Sequence, residues 1–205
     1  MTFWDICAPF YDLLTKTNGR AYGDMLKLVN ELVPQDATVL EAAAGTGAIS
    51  LAVADKASHV LCTDISENML KIAQRKIRKH AAKNVTVANR SINNLGVPDD
   101  SFDVVIAGQV LHLLDKPEKA GAELRRVAKA MVILPMTFTK DLRGMARLGM
   151  SMFRLLGFTP RREFSLSEYE SFLPMTGFDN CEIIPILGKI PMAVAVWRKT
   201  QRERS

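Results

Sequence analysis

Two glycines and one aspartate, in a fixed order, say most about how this chain folds. The run Val39-Leu-Glu-Ala-Ala-Ala-Gly-Thr-Gly47 opens as an apolar strand pattern and ends in a glycine turn, with a helical pattern over Thr46–Lys56. A second apolar run, Val60-Leu-Cys-Thr, closes on Asp64, 17 residues beyond Gly47. A strand that turns through glycine into a helix, and returns as a strand ending in an acid, is the opening unit of a doubly wound parallel sheet. Ligands of such sheets bind outside the carboxyl ends of the strands. The residues that suggest the fold therefore also suggest where a ligand lies.

The rest of the chain continues the alternation. Strand patterns cover Thr38–Glu41, His59–Asp64, Val85–Ala88, Phe102–Ala107 and Met131–Leu134. Helical patterns cover Phe3–Thr15, Arg20–Val33, Glu67–Ala82 and Pro117–Lys129, with Ser66 as an N-cap. Beyond Thr137 the pattern changes. Thr137–Phe164 is long for a simple connection, a short helix is expected at Ser167–Leu173, and two strand patterns, Phe178–Pro185 and Ile190–Trp197, meet across Leu187-Gly-Lys189. So short a link implies an antiparallel hairpin. The expected fold is α/β: a Rossmann-like, seven-stranded, mainly parallel sheet with an antiparallel terminal hairpin and a helical cap. One domain spans 1–205, with an N-terminal helical lid at 1–33 and a cap or substrate insertion at 137–175. A hydrophobic share of 48% over 205 residues suits one core.

Several classes are disfavoured. No run approaches the ~20 apolar residues of a membrane-spanning helix, and Met1-Thr-Phe-Trp-Asp5 lacks the basic start of a secretory signal. Cys7, Cys62 and Cys181 are odd in number, far apart and form no CxxC pair, so no metal is expected and a reduced cytoplasm fits. A net charge of +5 is mild, and neither an Asn-Pro-Pro-Tyr-type tetrapeptide nor a catalytic-cysteine motif is present. Nucleic acid is not an expected partner.

The chemistry concentrates around the glycine turn. Gly45 and Gly47 allow a ligand close to the backbone, and the following helix start suits a carboxylate or phosphate. Asp64 stands where doubly wound sheets reach ribose hydroxyls. A Gly-x-Gly pair alone is common, and an acid at a strand end is often only a helix cap. Their joint order and spacing points to a nucleoside cofactor. A dinucleotide site asks for a third glycine where this chain has Ser50, and Glu41 would repel a pyrophosphate. Glu41 suits a ligand with a cationic amine, as in S-adenosyl-L-methionine. A nicotinamide-dependent oxidoreductase and a non-catalytic S-adenosylmethionine-binding protein remain as alternatives.

These motifs resemble the class I S-adenosylmethionine-dependent methyltransferases of the type-11 group, which includes ubiquinone/menaquinone biosynthesis methyltransferases. Glu41-Ala-Ala-Ala-Gly-Thr-Gly47 is similar to that family's acidic-x-Gly-x-Gly-x-Gly turn, with Ala43 in place of the first glycine. Asp64-Ile65-Ser-Glu-Asn-Met69 is similar to its ribose-binding acid and following helix, where the resemblance sets Ile65 and Met69 by the cofactor and Met69 against adenine. Ser91 takes the position where the family often has an aspartate bonding the adenine amino group, with the Ile92 N–H as an alternative contact. Gln109 falls beside the cofactor. The family's Pro-Gly-Gly before the fifth strand is missing. The implied activity is methyl transfer to a small, apolar or amphipathic acceptor such as a quinol or lipid.

Three features belong to the substrate side. Trp4–Asp12 resembles a segment that folds over the cofactor, with Tyr11 reaching the methionine end; its aromatics also suit simple docking on the sheet. His112, in Gly108-Gln-Val-Leu-His112, is a candidate general base or a packed helix residue. The segment 141–162 sets Arg143, Arg147 and Arg154 on one stripe opposite Leu142, Met145, Leu148, Met152, Phe153, Leu155 and Leu156, followed by Arg161 and Arg162. That pattern serves a cap helix with solvated arginines, or a lid over an apolar acceptor with peripheral membrane contact.

Overall fold

The computed structural model describes residues 8, 19–140, 160–188 and 190–200. The first predicted helix, Tyr11 and 141–159 therefore lie outside the described residues, apart from the buried, helical Ala8. The elements run α1 (Gly19–Leu32), β1 (Thr38–Ala42), α2 (Ala48–Val53), β2 (His59–Asp64), α3 (Glu67–Lys79), β3 (Val85–Asn89), β4 (Phe102–Ile106), a 3-10 turn (Leu111–Leu113), α4 (Pro117–Val127), β5 (Ala128–Thr137), α5 (Leu166–Met175), β6 (Glu182–Ile186) and β7 (Met192–Arg198). They form one seven-stranded sheet in the order β3-β2-β1-β4-β5-β7-β6. The first five strands are parallel, and β7 runs antiparallel between β5 and β6. Among the described residues no helix is long and apolar enough to cross a membrane.

Strand parity divides the core into two layers. Val39 on β1 packs with α1, α2 and α3 through Met25, Val29, Ile49, Val53, Ala73 and Ile77. Leu40 and Ala42 face the other way, onto α4 and α5 through Leu124, Val127, Tyr169 and Phe172. Central strands buried on both faces read as continuous apolar runs, as Val104–Ile106 and Val132–Leu134 do.

Several boundaries differ from the sequence reading, each for a local reason. β5 is ten residues long because β7 pairs with it from Met131 to Thr137, beyond the end of β4. Pro135 is tolerated there: the side facing β4 offers only its carbonyl, which accepts from the Gln109 N–H at 2.9 Å. β6 begins at Glu182 rather than Phe178, since Gly177 (φ 87) and Asn180 (φ 56) bend the chain first. Phe178 instead packs edge-on against Trp197 at 6.0 Å. α2 starts only after Gly47 (φ 72). α4 passes directly into β5, without the turn that the Pro-Gly-Gly would have made.

Candidate functional site

The β1–α2 turn is built from left-handed backbone. Ala43 (φ 54), Gly45 (φ 54) and Gly47 (φ 72) all take positive φ within five residues. For Ala43 this conformation costs about 1–2 kcal/mol that glycine avoids. The turn is pinned to β2, where Ala44 N–H donates to the Thr63 carbonyl at 2.8 Å and Gly45 N–H donates to Asp64 Oδ2 at 2.8 Å. Asp64 Oδ1 accepts from the Ser66 N–H at 2.8 Å, and Ser66 Oγ in turn accepts from the Met69 N–H at 3.2 Å, so Ser66 is the N-cap of α3. The carboxylate thus ties the glycine turn to the start of α3.

A cavity of about 220 Å³ opens at this junction, across the carboxyl ends of β1, β2, β3 and β4. Of the residues anticipated from sequence, Ala43, Gly45, Asp64, Ile65 and Met69 line it, together with Ser91, Ile92 and Gln109. Ile65 is 63% exposed, an apolar surface next to the carboxylate. Sequence reasoning missed Arg90, Asn93, Gly108, Val110, Leu113 and Leu114. All six follow the ends of β3 and β4, and the rule that ligands bind at strand ends was the available signal.

Three anticipated residues stand outside the lining. Glu41, on the opposite strand face from Leu40 and Ala42, accepts from the Ser50 N–H at 2.7 Å and from the Ser50 hydroxyl. The start of α2 thus meets an internal carboxylate through Ser50, a task that a third glycine could not perform with a hydroxyl. Burial raises the Glu41 pKa to about 7 against the opposing hydrogen bonds from Ser50. Gly47 serves closure: a Cβ there would lie 3.2 Å from Ala73 Cβ and 3.5 Å from Cys62 Sγ. His112 belongs to the 3-10 turn, its Nδ1 buried without a partner among the described residues, and burial lowers its pKa to about 4.

The described arginines of the cap are engaged within the fold. Arg161 pairs with Asp115. Arg162 donates to the Leu114 carbonyl at 2.8 Å and lies 5.7 Å from the Phe172 ring centroid. On α3, Lys71, Arg75, Arg78 and Lys79 face solvent, as expected of a solvated helix face.

Two lining residues carry buried polar atoms without partners among the described residues: Gln109 Nε2, a donor, and Asn93 Oδ1, an acceptor. Gln109 (φ 56) uses its Oε1 to accept from the Thr137 N–H at 2.9 Å, joining the ends of β4 and β5. A carboxylate at the wall beside apolar surfaces fits an adenosyl ligand bearing ribose hydroxyls and a flat base. Among the described residues no cluster fits a metal ion.

Comparison with known proteins agrees with this fold and with the cofactor. Residues 40–134 match the family model described as a methyltransferase domain. The chain is similar to a demethylmenaquinone methyltransferase of Clavibacter sepedonicus, 36% identical over 91 residues covering 44% of this chain and 36% of that one. It is also similar to a malonyl-acyl-carrier-protein O-methyltransferase of Geobacter sulfurreducens, 29% identical over 122 residues covering 58% of this chain and 45% of that one. It thus spans about a third to a half of the length of these relatives. A solved SAM-dependent methyltransferase from Aquifex aeolicus shares the fold, with TM-score 0.68 at 22% identity over 92% of this chain and 98% of that one. Residues 40–134, just under half of the chain, are thus similar to the type-11 group of the class I S-adenosylmethionine-dependent methyltransferases.

Proposed function

We propose that the chain transfers a methyl group from S-adenosylmethionine to a small apolar or amphipathic acceptor, quinol-like or lipid-like. One observation carries this reading: a single cavity joins the ends of β1 to β4 with Asp64 locked beside the glycine turn. When bound, the cofactor supplies an electrophilic methyl group on a sulfonium. The protein supplies position. Asp64 is oriented before any ligand arrives, and each oxygen of a carboxylate accepts more than one hydrogen bond, so the same group serves ribose hydroxyls. Ile65, Met69 and Ile92 offer apolar surface to the base. Gln109 lines the cavity beside β4.

The acceptor class follows from the β4 side. Val110, Leu113 and Leu114 make that wall apolar, which suits a ring or chain and excludes water from the reacting centre. The demethylmenaquinone methyltransferase relative supports a quinol-like ring. Holding acceptor and methyl in line supplies much of the rate through effective molarity. We assign no proton transfer to His112, which lies outside the cavity lining. Tyr11 as a lid residue over the methionine end accords with the same scheme.

The test is transfer of labelled methyl from S-adenosylmethionine by the full chain to a panel of short-chain demethylated quinols, a malonyl thioester and a polar amine. We expect labelled product from the quinols or the thioester. Product from the amine alone contradicts the acceptor class, and absence of product from all three contradicts the transferase reading.

A further inference from the structure

The apolar wall on the β4 side is one short stretch of chain, and it is fastened from outside at both ends. At its start the Gln109 N–H donates to the Pro135 carbonyl at 2.9 Å, and Gln109 Oε1 accepts from the Thr137 N–H at 2.9 Å, which ties it to β5. At its far end the Arg162 N–H donates to the His112 carbonyl at 3.1 Å, and the Arg162 guanidinium donates to the Leu114 carbonyl at 2.8 Å. Arg161 adds an exposed pair with Asp115, the kind of contact that contributes little. One arginine thus satisfies two carbonyls of the turn that carries Leu113 and Leu114 into the cavity lining.

The turn has little of its own to keep that shape. It is a single 3-10 turn, Leu111–Leu113, with no side-chain cap at its start. Its internal bonds run from the Leu113 N–H to the Val110 carbonyl at 2.9 Å and from the Leu114 N–H to the Leu111 carbonyl at a long 3.4 Å. Such turns are weakly bonded, and their last carbonyls need partners from elsewhere. Arg162 can be that partner because its own side chain is located. Its guanidinium lies 5.7 Å from the Phe172 ring centroid, and Phe172 is buried against Phe164 with the rings 4.7 Å apart. A planar cation held over a ring and on a carbonyl is fixed in direction as well as position.

We propose that Arg162 is a positioning residue for the methyl acceptor: by holding the His112 and Leu114 carbonyls it sets where Leu113 and Leu114 stand in the wall. It acts through the turn, since Leu113 and Leu114 line the cavity and Arg162 does not. The cofactor end is built from other elements, with Asp64 and Ile65 at the tip of β2 and Met69 on α3. Loosening the turn therefore disturbs the acceptor and leaves the cofactor in place. This inference rests on the apolar β4 side being where the acceptor lies.

Steady-state methyl transfer by the full chain to a short-chain demethylated quinol, or to the malonyl thioester if that is the better acceptor, tests it beside calorimetry with S-adenosylhomocysteine. Arg162→Met keeps the stem over Phe172 and removes the guanidinium donors. Its KM for the acceptor should rise about tenfold, the scale of one charge-assisted hydrogen bond. An apolar wall holds ground state and transition state alike, so kcat should stay within about twofold. Affinity for S-adenosylhomocysteine should be unchanged. Arg162→Lys, which keeps a cation and a donor, should restore most of the acceptor KM. Should Arg162→Met fail to melt cooperatively, Arg162→Gln, too short to reach the Leu114 carbonyl, should show the same rise. An unchanged acceptor KM, a lysine variant as impaired as the methionine one, or a parallel loss of S-adenosylhomocysteine affinity overturns the assignment. A wild type that binds S-adenosylhomocysteine but methylates neither acceptor overturns the acceptor reading beneath it, an outcome distinct from turnover that ignores Arg162.

Discussion

Asp64 Oδ2 accepts a hydrogen bond from the Gly45 N–H at 2.8 Å, so the acid at the tip of β2 holds the turn that leaves β1. One side chain therefore both shapes the cavity and supplies its negative charge. Asp64→Ala removes a charge-assisted contact worth about 1.5–3 kcal/mol. Affinity for S-adenosylhomocysteine should fall about 10- to 100-fold. The melting temperature should fall as well, because the Gly45 and Ser66 amides lose their acceptor. Calorimetry and thermal denaturation measure both, and unchanged affinity in a folded variant would contradict the role of Asp64.

Glu41 makes stability depend on pH. Its folded pKa, about 7, stands above the ordinary 4.5 because burial disfavours the charged form. Its contribution is fully present below pH 4.5 and is lost as pH rises through 7. The change is on the order of 3 kcal/mol. Glu41→Gln cannot ionise, so its stability relative to wild type should improve as pH rises from 4.5 to 8. Urea unfolding at several pH values reads this directly; parallel profiles for the two proteins would contradict it.

Two glycines in helices should respond in opposite senses to alanine. At Gly121 on α4, a Cβ would lie 2.0 Å from the Thr176 carbonyl oxygen, a backbone atom beyond the end of α5. Gly121→Ala must push that segment away, at a cost of about 1–3 kcal/mol. At Gly23 on α1 a Cβ meets nothing within 4 Å among the described residues. Gly23→Ala should stabilise by about 0.5–1 kcal/mol through helix propensity. Equilibrium denaturation separates the two, and a Gly121→Ala variant as stable as wild type would show that α4 and α5 are packed less closely.

The alternation of strand and helix patterns made the sheet legible, and the short Leu187–Lys189 link made its reversal legible. Boundaries failed where a turn residue or a distant partner decided them. Gly177 and Asn180 cut β6 short, while β7 drew β5 past Leu134. The glycine turn and Asp64 located the cavity, while Glu41 and Gly47 stand behind its lining. Strand parity accounts for Glu41, which shares a face with the buried Val39 and not with Leu40. Arg90 and Asn93 belong to no motif. Their place depends on how the turn after β3 folds, which a linear pattern does not encode.

The most direct measurement is titration of the full chain, freed of co-purified ligand, with S-adenosylhomocysteine, with NADH as control. We expect saturable binding of S-adenosylhomocysteine that S-adenosylmethionine displaces, and none of NADH. Indifference to both sulfur compounds at millimolar concentration, in a protein that melts cooperatively, would contradict the methyltransferase reading.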